Sequence, residues 1–67
     1  MKRAEALRAV TEACFEEVKF LVTVYMRGLE SPAKTHDEHL KHFLNGIAIT
    51  KAAEAQAIIE ITKAFEE

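Results

Sequence analysis

Apolar side chains return every three or four residues along most of this chain, and the polar positions between them fall on the other side of a helix. In the first half Leu7, Val10, Cys14, Val18, Leu21, Val22 and Tyr25 set the stripe, while Glu5, Arg8, Glu12, Glu16, Lys19, Thr23 and Arg27 lie outside it. This spacing predicts an amphipathic helix over about residues 4–27. Its end is marked by Arg27 in the last turn, by Gly28 as a residue free to turn left-handed just beyond the helix, and by Leu29 folding back on the preceding turn.

The second helix carries two overlapping start signals. Ser31-Pro32 reads as an N-cap followed by a first helical residue, and Thr35-His36-Asp37-Glu38 reads as a capping box with acids suited to the helix dipole. From about residue 35 to residue 66, Leu40, Phe43, Leu44, Ile47, Ala48, Ala52, Ala55, Ile58, Ile59, Ile61, Thr62 and Phe65 keep helical spacing. Asn45-Gly46 is a pair more often found in turns, yet the stripe crosses it without a change of phase, so a continuous helix is expected. Two helices joined by about seven residues make an antiparallel hairpin. The fold class is therefore all-α, a single helical-hairpin domain over residues 1–67.

The apolar arc is wider than one neighbour can cover. A stripe about 100° wide suffices for one partner helix, whereas on the second helix the apolar positions occupy more than half of the circumference. On the first helix Phe15 and Phe20 flank the main stripe on opposite sides, with Val24 beside Phe20. The expected solution is a homodimer, or a higher homo-oligomer, in which two hairpins form a four-helix bundle. Phe15, Phe20, Val24, Ala48, Ala52, Ala55 and Ile59 are its expected interface residues, the alanines permitting close approach.

Length sharpens the same point. A chain of 67 residues buries only about 60% of the surface its unfolded form exposes, and its one cysteine, Cys14, excludes an internal disulfide framework. Association with another chain is the remaining staple. Nine basic against eleven acidic residues, a net charge of -2, give no general attraction to phosphate or anionic lipid, and no apolar run reaches the roughly 20 residues that span a bilayer. A cytoplasmic protein with Cys14 reduced, no membrane partner and no cofactor is expected.

Three groups of residues have the types needed for chemistry. Pairing the helices so that facing residue numbers total about 65 gathers Thr11, Cys14, Thr50, Lys51 and Glu54 into a polar layer across the core, which reads as a register-setting layer, a rim lysine over a buried thiol, or a small-ligand pocket. No histidine or second cysteine joins it, so a nucleophile–base pair is unsupported. His36, His39 and His42 are spaced by three, which lets neighbours share an ion but not all three from one straight helix; a solvated helix end is the plainer reading. Lys2, Arg3 and Arg8 with Lys63 form a weak basic end diluted by Glu5, Glu60, Glu66 and Glu67. The carboxylates lack the Glu-x-x-His spacing of di-iron bundles. The function expected from these residues is a non-enzymatic interaction or regulatory module with a protein partner, followed by a nucleic-acid-binding regulator, which the charge disfavours, and by a ligand- or metal-binding bundle.

Overall fold

The computed structural model describes residues 1–66 as a hairpin of two long helices: α1, Arg3–Gly28, and α2, His36–Ala64, with a short 3-10 turn at Ala33–Thr35 between them. The described chain has no strand. Helix α2 runs unbroken through Asn45-Gly46, and its bounds lie within two residues of those expected, as helix ends commonly do.

Helix α1 begins with the backbone N–H of Lys2 donating to Glu5 Oε1 at 3.3 Å. It ends without a left-handed residue. Neither glycine has a positive φ; Gly28 is the last helical residue, and the chain leaves through tightened bonds in which Leu29 N–H donates to Tyr25 and Met26 carbonyls, Glu30 N–H to Arg27 and Ser31 N–H to Gly28. The expected role of Gly28 is thereby corrected. A Cβ built there would stand 2.6 Å from Cγ and Nδ1 of His39, so the residue is small because α2 passes against it. Gly46 answers from the other helix: a Cβ there would lie 2.7 Å from Leu21 Cδ2.

The start of α2 also differs from the sequence reading. Pro32 is extended at φ -52° and ψ 140° and flanks the 3-10 turn, so Ser31 caps nothing. Thr35 sits at φ -101° and ψ 0°, and its hydroxyl donates to the Pro32 carbonyl at 2.8 Å, so the capping box with Glu38 does not form. His36 holds the connection instead. Its Nε2 lies 3.1 Å from the Leu29 carbonyl and 3.0 Å from that of Ser31; two acceptors require that this nitrogen carry the proton.

Between the helices, Tyr25 stacks on Phe43 with ring centroids 5.0 Å apart. The half-buried residues follow one line on each helix: Leu7, Val10, Cys14, Val18, Leu21 and Tyr25 on α1, and Phe43, Ile47, Thr50, Glu54, Ala57 and Ile61 on α2. The pairs Gly28 with His39, Leu21 with Gly46 and Tyr25 with Phe43 have residue numbers totalling 67 or 68. The register therefore stands two to three residues away from the expected one. Only Ala6 and Gly28 are buried, and no large side chain is fully buried among the described residues.

The close pass at Gly28 generates a test. Gly28→Ala drives a methyl into the base of the His39 ring, and overpacking of this kind costs roughly 1–3 kcal/mol, more than the gain of up to about 1 kcal/mol from helix propensity. The melting temperature is expected to fall, and the double variant Gly28→Ala/His39→Ala is expected to show a smaller loss than the sum of the two single variants. Additive losses by differential scanning calorimetry would show that the two positions do not meet.

Candidate functional site

The hairpin leaves two broad apolar faces, one on each side of its seam. Leu21, Val24, Tyr25, His39, His42 and Phe43 line a shallow cleft of about 80 Å³, which fixes Val24 and His42 on the same side. At 100° per residue, Phe20 on α1 and Ile49 on α2 belong to that side as well. Half a turn away, the other face carries Phe15, Val22 and Met26 from α1, with Leu40, Leu44, Ala48, Ala55 and Ile58 from α2.

Both faces are open. Phe15 is 63% and Phe20 61% exposed, Ile49 matches Phe20 at 61%, and Leu44 is 55% exposed. The seven expected interface residues, Phe15, Phe20, Val24, Ala48, Ala52, Ala55 and Ile59, are all exposed, but they do not form one surface: Phe20 and Val24 stand on the cleft side and Phe15, Ala48 and Ala55 on the other, with Ala52 and Ile59 at the outer edge of that second face, toward the back of α2. Val22, Met26, Leu40, Leu44 and Ile58 belong to the exposed set too. Their absence from the sequence-derived interface has a geometric cause. The main stripe of α2 is expected to hold Leu40, Leu44 and Ile58 together with Phe43, Ile47 and Ile61, whereas the seam runs along Phe43, Ile47 and Ile61 alone, so three residues expected to be covered lie on a flank. The even spread of apolar residues around α2 was the available signal.

Within the expected polar layer, Cys14, Thr50 and Glu54 are half-buried and Thr11 and Lys51 exposed. Carrying the observed register along the seam sets Cys14 across from Glu54 and Val18 across from Thr50. Lys51 lies on the open face among Leu44, Ala48, Ala55 and Ile58, where its aliphatic stem can cover apolar surface while its ammonium stays wet. Cys14 is a free thiol.

The three histidines have separate surroundings. His36 clamps the connection, His39 packs on Gly28, and His42 is exposed beside the cleft. Among the described residues no three His, Cys, Asp or Glu side chains gather where they could hold a metal ion. At the basic end, Lys63 Nζ lies 4.0 Å from Glu60 Oε1, and Glu5 is engaged by the start of α1. The cleft falls short of the roughly 300 Å³ at which pockets begin to enclose a small molecule. No helix among the described residues is long and apolar enough to cross a membrane.

The chain matches no family model, no curated protein and no solved structure.

Glu54 supplies the test of the polar seam. It makes no ion pair or hydrogen bond among the described residues, while its position withdraws part of the side chain from water. Glu54→Leu is expected to stabilise the protein by about 1 kcal/mol through added apolar burial, which in a chain of this size raises the melting temperature by roughly 4–8 °C. A fall of similar size would show that the carboxylate serves a partner group.

Proposed function

We propose that this protein is a self-associating helical hairpin, a homodimer whose four helices pack as a bundle, acting without catalysis as a protein-interaction or regulatory module. The observation that carries this reading is the lack of a core within one chain. Its accessible surface is 5423 Å², against about 4250 Å² for a compact protein of the same mass. Its radius of gyration is 15.7 Å, against about 11 Å for a compact domain of this length.

The excess surface is of the size that association removes. A standard interface buries about 800 Å² on each partner, and obligate dimers bury more. The exposed set is also of the right kind, with Phe15, Phe20, Met26, Leu44 and Ile49 all more than half exposed, a combination that marks interaction sites in folded proteins. Shape agrees: the Cα trace measures 55 × 15 × 8 Å, one helical layer thick, so a second layer is what gives these side chains an interior. The cytoplasmic setting belongs to the same proposal and is supported by the single free cysteine.

Sedimentation equilibrium at micromolar concentration checks the reading. A mass of twice 7.5 kDa, with a melting temperature that rises with protein concentration, is expected. A monomer that unfolds cooperatively at a concentration-independent temperature would overturn it.

A further inference from the structure

We infer that the second copy docks on the face carrying Phe15 and Ala48, with the two connections at the same end, so that Phe15 of each chain enters a hollow in α2 of the other. This inference rests on the proposed self-association and specifies its surface and orientation.

The hollow is made by Ala48, Lys51, Ala52 and Ala55. Residues at i, i+3, i+4 and i+7 are the four that frame the socket for one knob of a facing helix, and three of these four end at Cβ. The register of the hairpin puts Phe15 level with residues 52 and 53 of its own α2. A two-fold axis parallel to the helices preserves that level while laying α1 of one copy over α2 of the other. The largest exposed side chain of the α1 flank then meets the shallowest part of α2.

The same operation matches the rest of the face. Val22 comes between the levels of Leu44 and Ala48, and Met26 between those of Leu40 and Leu44. Towards the chain ends the small Thr11 falls between the levels of Ala55 and Ile58. At Phe15 large stands opposite small, and along the rest of the face each α1 side chain falls between two of α2, as interdigitated packing requires; meeting this with one's own flank is what an isologous interface requires. The rival axis, perpendicular to the helices, lays α1 on α1 and α2 on α2; set at the level of Phe15 it puts that ring against Phe15 of the partner subunit and the alanines against alanines, leaving bulk on one side and a gap on the other. In the free chain Lys19 Nζ stands 5.5 Å from the Phe15 ring centroid, yet the ring stays 63% exposed.

The test swaps the sizes. Phe15→Ala is expected to weaken the dimer on the order of 100-fold, since both sockets empty, while Phe20→Ala on the cleft face leaves it within about threefold. Ala55→Leu fills the hollow and is also expected to weaken the dimer, and Phe15→Ala/Ala55→Leu is expected to recover at least about tenfold over either single variant. Dissociation by Phe20→Ala but not by Phe15→Ala, or a double variant no better than the singles, would overturn the assignment. Orientation is read separately in Cys14→Ser chains, where Thr11→Cys mixed with Ala55→Cys is expected to give an oxidised mixed dimer. A dimer that survives without that cross-link refutes the same-end packing alone, whereas a wild-type chain that sediments as a monomer refutes the self-association beneath it.

Discussion

Two helices in contact share a line, not a volume. Each hides one narrow stripe against the other, and the rest of both cylinders stays in water however well the stripe is packed. Everything distinctive about this hairpin follows from that limit. Tyr25 stacks on Phe43 and Leu21 presses on Gly46, yet no large side chain is fully buried. The apolar surplus is thus a property of the architecture, and the side chains that carry it stand on faces whose positions the seam determines.

The polar members of the seam act within this limit. Thr50 and Glu54 occupy positions that an optimised stripe would fill with aliphatic side chains, and Cys14 lies across from Glu54. A half-withdrawn carboxylate is tolerable at the edge of a two-helix contact, where water still reaches it. Covered by a second layer it would have to find a partner or remain costly.

Much of the fold was legible from spacing. The helix count, the hairpin, the continuity of α2 through Asn45-Gly46 and the open alanine-rich flank all follow from periodicity, which reports angles around an axis with good fidelity. What periodicity does not contain is translation along the axis. The facing pairs were displaced by two to three residues because any slide that keeps apolar against apolar satisfies the same pattern; the true register is set by where a glycine lets the opposite helix come close, at Gly28 with His39 and at Gly46 with Leu21. Gly28 was legible as an ending and not as a contact, since both roles call for a missing Cβ. The caps failed for a related reason: Thr35 and Glu38 have the right spacing, but the backbone of Thr35 is already turned as the end of a 3-10 segment.

The fixed points of the hairpin are unevenly distributed, and this bears on how it forms. The His36 clamp on Leu29 and Ser31, the Gly28–His39 approach and the Tyr25–Phe43 stack all crowd the connection, where the joining residues are few and closing the loop loses little chain entropy. Pairing that starts there can proceed outward like a zip, each step adding a contact between residues more distant in sequence. The far end, near Leu7 and Ile61, is therefore the last to close and the first to fray. A chain built this way has its own order of assembly: the bend organises first, and the middle of the molecule, where Phe15 and the alanines lie, follows it.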